Sequence, residues 1–210
     1  MLNIFVSKNL NIHMFTMNAA DACKTYDHLL DYALLALPDD NVKGAIKNEK
    51  ELLDGFNDIT ASRQGPHIRI AGFLAKEAME ETVVRWIRNI CQMHESFTVT
   101  LNNYSGFPSH TIYLRVQDPA PFVQLATRLK IIDSFVQSND CPPVQLTAKP
   151  YLSIAGGLPE SVYSEAIRLY AQKTFHASFT LERLVLVKRS WEGERDELVE
   201  RFHLAPAFLS

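Results

Sequence analysis

Cysteine is scarce in this sequence, and the three that occur, Cys23, Cys91 and Cys141, lie far apart. They form no CxxC pair and have no histidine at ligand spacing, which argues against a zinc site. An odd, scattered set also fits a reduced chain better than a disulfide framework. Neither sign of charge is in large excess, the formal net charge being -3. Non-specific binding of a long nucleic-acid backbone requires a basic surface, so bulk composition argues against an extended nucleic-acid partner. A terminal phosphate is a different case, because a local pocket needs only a few cations. No apolar run is long enough to span a bilayer. Residues 1–24 lack the basic start and unbroken apolar stretch of a signal peptide. The expectation is a cytoplasmic chain with no membrane partner. Its residues 1–24 are expected to form a poorly ordered extension and 25–210 a single bilobal domain. Gly156 and Gly157 precede a helical pattern, but no GxGxxG or Walker sequence is present, so they predict a turn and not a phosphate loop.

What is present is enough apolar material for a core. Hydrophobic residues make up 47% and charged residues 21% of 210 residues, a balance that needs neither metal nor disulfide to fold. Residues 32–37 predict a strand closed by Pro38. Asp39 or Asp40 can then cap a helix from Val42 to Phe56. Residues 67–73 predict a short strand, and Met79 to Met93 a helix with Met79, Val83, Trp86, Ile87 and Ile90 as its apolar stripe. Residues 97–101 alternate as a strand, 102–109 predict a turn, and 110–116 the returning strand. A helix is expected from Pro119 or Pro121 to Val136, and a loop over 138–143. The second half then shows a strand at 149–155, a helix at 159–173, one long strand at 175–187 and another at 198–204. The order strand, helix, strand, strand therefore occurs twice. This predicts an α+β fold of two similar lobes with mixed or antiparallel sheets, flanking helices and a central cleft.

Two of the short strands share a local grammar. One runs from Gly65 and Pro66 through His67, Ile68, Arg69, Ile70, Ala71 and Gly72. The other runs from Lys149 and Pro150 through Tyr151, Leu152, Ser153, Ile154, Ala155 and Gly156. Aligned, both read proline, aromatic ring, aliphatic, polar, isoleucine, alanine, glycine. Strand side chains alternate with period two. His67 and Arg69 should therefore share one face, as should Lys149, Tyr151 and Ser153, while Ile68, Ile70, Leu152 and Ile154 point to the core. His110 is followed directly by Thr111, so its polar neighbour comes one position too early for this pattern. The run from Trp191 to Glu197 predicts a solvated hairpin.

This tandem pattern resembles the two-histidine phosphoesterase superfamily, the group of 2′-5′ RNA ligases and cyclic phosphodiesterases. Those proteins carry His, any residue, then Thr or Ser on one strand of each lobe, commonly after Pro. The resemblance extends from Tyr26 to His203. It includes the first strand ending at Pro38, the hairpin with Gly106, Phe107 and Pro108, and the segment Leu184 to Ser190. It implies a two-histidine cleft acting on 2′,3′-cyclic phosphates or 2′-5′ linkages, with no metal or other cofactor. One imidazole would accept a proton and the other give one, and the two hydroxyls would bind phosphate oxygens.

The chain departs from that pattern at two positions: Arg69 stands where Thr or Ser is expected, and Tyr151 where His is expected. A phenol titrates near about 10, so it serves as an acid but is a poor base near neutral pH. Arg69 and Lys149 add positive charge that can hold phosphate. His67 and Tyr151 are thus the candidate catalytic pair, with Arg69, Ser153 and Lys149 as candidate phosphate-binding residues. The expected ligand is a nucleotide or RNA-end phosphate, with hydrolysis weakened or lost. An active phosphodiesterase using Tyr151 as acid and a non-catalytic interaction module are the competing readings.

Overall fold

The computed structural model describes residues 29–51, 65–107, 111–156, 158–189 and 196–207. Its strands are β1 (Leu29–Ala36), β2 (Ile68–Lys76), β3 (Phe97–Phe107), β4 (Thr111–Val116), β5 (Gln145–Leu146), β6 (Tyr151–Ala155), β7 (His176–Leu181), β8 (Arg183–Arg189) and β9 (Glu197–His203). Its helices are α1 (Asp40–Glu51), α2 (Glu80–Gln92), α3 (Ala120–Ser138) and α4 (Glu160–Ala171). A short 3-10 turn, Glu77–Met79, leads into α2. The strands form one sheet in the order β7-β3-β4-β6-β2-β1-β8-β9, with β5 attached to β2. Every pairing between these strands is antiparallel. The fold is α+β.

The helices form where local chemistry favours them. The Asp39 side chain accepts a hydrogen bond from the Val42 backbone N–H at 2.8 Å, capping α1 and satisfying a donor that has no partner inside the helix. Asp118 does the same for the Ala120 N–H at 2.9 Å at the start of α3. The expected stripe is buried at Met79 in the 3-10 turn and at Val83, Ile87 and Ile90 of α2, and Trp86 packs edge-on against Phe135 of α3. Helices α2 and α3 pack together and lie against β9 and β2, while α1 and α4 lie against β6, β7, β3 and β4. The main core fills the space between these helices and one face of the sheet.

The sheet has two halves, β7-β3-β4-β6 and β2-β1-β8-β9. Neither half is one end of the chain. Strands β1 and β2 share a half with β8 and β9, and the middle of the sequence builds the other. The long strand expected over 175–187 is consequently two strands. It breaks at Glu182, so that β7 pairs with β3 on one half and β8 with β1 on the other. The Glu182 carbonyl accepts the Leu204 N–H at 2.8 Å. Strand β3 also runs on past Asn102, where a turn is expected. Asn103 takes a left-handed conformation with φ 52°, and the β3–β4 register shifts there. A bulge absorbs the irregular residue and β3 continues to Phe107. The short β5 has no counterpart among the expected strands, because two residues show no periodicity. The expectations for residues 1–24, for the end of the first helix at Phe56, and for Pro108, His110 and Trp191 fall outside the described residues.

Cys91 and Cys141 are buried free thiols, and burial pushes the Cys91 thiol up to about 12, so it behaves as a core residue. Among the described residues no helix is long and apolar enough to cross a membrane.

His94 is 6% exposed and packs edge-on against Phe97. Burial, then the positive charge of Arg128, lowers its pKa from 6.5. The unfolded chain thus binds a proton at His94 more readily than the folded chain. Folding stability from this residue is complete above about pH 6.5 and falls as pH drops below it. Urea midpoints at pH 7.5 and 5.5 should show a loss at the lower pH that His94→Gln reduces. An equal loss in the variant would assign the effect to other groups.

Candidate functional site

The site begins at a turn. Gly65 has φ +76°, a left-handed conformation that glycine adopts without a Cβ penalty. This turn aims the Gly65 carbonyl at His67 Nδ1, 2.9 Å away. A carbonyl only accepts, so Nδ1 carries the proton. In the neutral ring the lone pair then resides on Nε2.

Strand β2 starts one residue later. Ile68 is paired with Leu152 of β6 in antiparallel register, and both are fully buried. In an antiparallel pair the sum of partner numbers is constant. One step either side of this pair therefore sets His67 opposite Ser153 and Arg69 opposite Tyr151. Ile68 and Leu152 point into the core, so these four side chains share the opposite face of the sheet. His67 and Tyr151 are diagonal neighbours on adjacent strands, where a separation of roughly 7–8 Å is usual. The expected grammar, polar on one face and apolar on the other, is what the burial alternation follows on β6.

On β2 the alternation slips. Ile70, Ala71, Gly72 and Phe73 are all buried, and the pairing with β1 skips Ile70 between Arg69 and Ala71. The bulge brings Gly72 onto the face that carries Arg69. The guanidinium of Arg69 lies directly over Gly72, with Nη2 in the space a Cβ would take. Arg69 thus extends along β2 away from His67. Desolvation raises the pKa of the Asp31 carboxyl, and the positive charges of Arg69 and then Arg189 offset part of that rise. Arg189 Nε in turn donates to Asp196 Oδ1 at 2.6 Å.

The other side of β6 supplies residues that sequence reasoning missed. Strand β4 sets Tyr113 opposite Ser153 and Arg115 opposite Tyr151. Arg115 is exposed. Tyr151 therefore has an arginine on each neighbouring strand. Alternation within β4 alone shows that Tyr113 and Arg115 share a face, but only the register shows that this face carries His67. Three rings also meet there. Phe107 stacks on Tyr113 with centroids 4.6 Å apart, and Tyr151 lies 5.1 Å from each of them.

The structure therefore brings His67, Arg69, Tyr151 and Ser153 onto one face. Lys149 is exposed in the bend that precedes β6. It lies outside the strand, so alternation does not determine its direction. Among the described residues no cluster of three or more His, Cys, Asp or Glu side chains is arranged to hold a metal ion.

The whole fold has close counterparts among solved structures. LigT of E. coli complexed with 3′-AMP superposes with a TM-score of 0.60 at 16% identity, covering 84% of this chain and 98% of that one. The same protein complexed with NADP+ gives 0.58 at 15% identity over 84% and 98%. TT0787 of Thermus thermophilus gives 0.61 at 15% identity over 86% and 100%. At such identities the likeness speaks for the fold. Among curated proteins none matches the chain by sequence. The family model described as the 2′-5′ RNA ligase superfamily matches residues 38–192, a span that runs from Pro38 through both motif strands and β8. The chain belongs to the 2′-5′ RNA ligase superfamily.

Proposed function

We propose that the protein binds a nucleotide or RNA-end phosphate on the face that carries His67 and Ser153, and that its hydrolytic activity is weak or lost. The register across β2 and β6 carries this reading: it joins the retained histidine and serine in one cross-strand row, with Arg69 and Arg115 flanking Tyr151 in the next. His67 and Ser153 supply hydrogen bonds to phosphate oxygens. The arginines supply charge-assisted, bidentate ones. LigT has been solved with 3′-AMP, with NADP+ and with phosphate, and the proposed ligand has the same phosphate chemistry.

Displacement at phosphorus requires one group to accept a proton and another to give one. The Nε2 lone pair of neutral His67 suits the accepting role. A phenol is suited only to donating near neutral pH, and a guanidinium is a donor with no accepting lone pair. The site thus holds one base, one weak acid and extra positive charge, which favours retaining an anion over turning it over.

Calorimetry with a 2′,3′-cyclic nucleotide tests the binding. A charge-assisted hydrogen bond contributes roughly 1.5–3 kcal/mol, so Arg69→Ala should weaken binding about tenfold or more. Gly72→Ala displaces the guanidinium from its resting place and should not weaken binding. Unchanged affinity in Arg69→Ala would remove Arg69 from the site.

A further inference from the structure

We infer that Asp31 is a positioning residue for the phosphate site: its carboxylate holds the Arg69 guanidinium in a resting place over Gly72, off the row of His67 and Ser153, and a bound phosphate must draw the arginine away from it. This rests on the phosphate-binding reading and adds the control of that site.

The resting place is built by the pairing of β2 with β1. Arg69 stands opposite Leu35, and the skipped residue Ile70 brings Gly72 opposite Ala33 on the same face. Asp31 comes two residues before Ala33 on β1, so it occupies that face too. Its partner on β2 is Leu74, beyond Gly72 in the direction that the Arg69 side chain takes. The guanidinium fills the space that a Cβ at Gly72 would need. Glycine at this position is therefore what lets the arginine lie along β2 toward Asp31.

From Arg69 the charges alternate across the strands. Asp31 is paired with Arg189 of β8, and Arg189 Nε donates to Asp196 Oδ1 at 2.6 Å. The side chain of Asp196 is only 6% exposed, so Arg189 is engaged by a largely buried carboxylate and serves Asp31 only in part. The Asp31 carboxyl shows which cation serves it more. Desolvation raises its pKa most, and of the two arginines that oppose the rise Arg69 acts more strongly than Arg189, although Arg189 is the residue directly across the strand pair. A guanidinium turned toward Asp31 accounts for that order. One turned toward His67 would be the more distant cation and would come second.

A carboxylate and a phosphate offer a guanidinium the same kind of acceptor oxygens. Asp31 and Arg69 are both exposed, and exposed ion pairs are weak, so the hold is reversible. A ligand on the row of His67 and Ser153 engages Arg69 only after the arginine leaves Asp31. Its apparent affinity is lowered by the fraction of molecules in which the arginine is retracted. The arginine that stands where Thr or Ser is expected is thus a movable cation, anchored from the neighbouring strand.

Calorimetry with adenosine 2′,3′-cyclic phosphate on the full chain tests the inference through two releases of different kinds. Asp31→Asn removes the anchoring charge and keeps the shape, whereas Gly72→Ala removes the resting place and changes no charge. Each should tighten binding about two- to fivefold. In the Arg69→Ala background neither change should have an effect. A gain from Asp31→Asn that persists in that background would mean that the carboxylate acts on the ligand through its field and not through Arg69, and the inference would be overturned. Absence of the gain in either variant overturns it as well, and the phosphate site stands as long as the natural protein binds the cyclic nucleotide. If one variant does not fold, the other decides by the same comparison. If the natural protein and both variants leave the cyclic nucleotide unbound, the phosphate-binding reading falls and this inference falls with it.

Discussion

Turnover of a 2′,3′-cyclic phosphate should rise by about 10²-fold or more when Tyr151→His is combined with Arg69→Thr, and by less with Tyr151→His alone. A positioned acid or base typically contributes about 10²–10⁴-fold, and Tyr151 supplies at most the acid. The register explains why both changes are needed. Position 69 lies across from position 151 on one side, and Arg115 lies across from it on the other. An imidazole at position 151 would have the cationic Arg115 across from it on β4, which disfavours its charged form, so it would accept and pass protons poorly. Arg69→Thr restores a hydroxyl where phosphate oxygens are expected. The measurement is steady-state hydrolysis by the natural protein, both single variants and the double variant, with His67→Ala as the control that should abolish the gain. Robust natural activity that depends on His67 and falls in Tyr151→His would show that Tyr151 is an adapted catalytic acid, and the impaired-enzyme reading would be abandoned.

Leu152→Ala should cost about 2–5 kcal/mol of folding stability, the range for truncating a buried leucine. Leu152 is fully buried beneath the site and is paired with Ile68 across the strands that join the two halves of the sheet. The cavity would open at the register position that holds β2 beside β6. Ile68→Val, which removes a single methylene from the same pair, should cost about 0.5–1.5 kcal/mol. Leu198→Ala serves as a control, because Leu198 is 41% exposed on β9 and such substitutions usually stay within about 0.5 kcal/mol. Urea unfolding of the three variants gives the comparison. A loss below about 1 kcal/mol in Leu152→Ala would mean that the seam is loosely packed. The site geometry would then depend on something other than this pair.

Much of this molecule was legible in its sequence because the signals concerned are local. The apolar stripe of α2, the Asp39 cap and the alternation of Tyr151, Leu152 and Ser153 each depend on residues within a turn or two of one another. The tandem Pro-ring-aliphatic-polar grammar reported that two strands expose polar pairs on one side, and the resemblance it carries led to the correct family. Where local pattern was a poor guide, a distant partner decided the outcome. The segment 175–187 has the composition of one long strand. It divides at Glu182 because β3 claims one part and β1 the other, and these lie on opposite halves of the sheet. Asn102 and Asn103 have turn chemistry, yet pairing with β4 and β7 carries β3 through a bulge to Phe107.

The site divides in the same way. The sequence by itself determined that His67, Arg69, Tyr151 and Ser153 are present, and that each pair alternates with buried aliphatic residues. Only the tertiary structure decided that the two strands are neighbours with Ile68 on Leu152. That register sets His67 by Ser153 and draws in Arg115 and Tyr113 from β4, while the bulge against β1 lays the Arg69 guanidinium over Gly72. The physical reason is that a strand's own sequence specifies which side chains share a face, but hydrogen-bond register between strands distant in sequence specifies which side chains share a site.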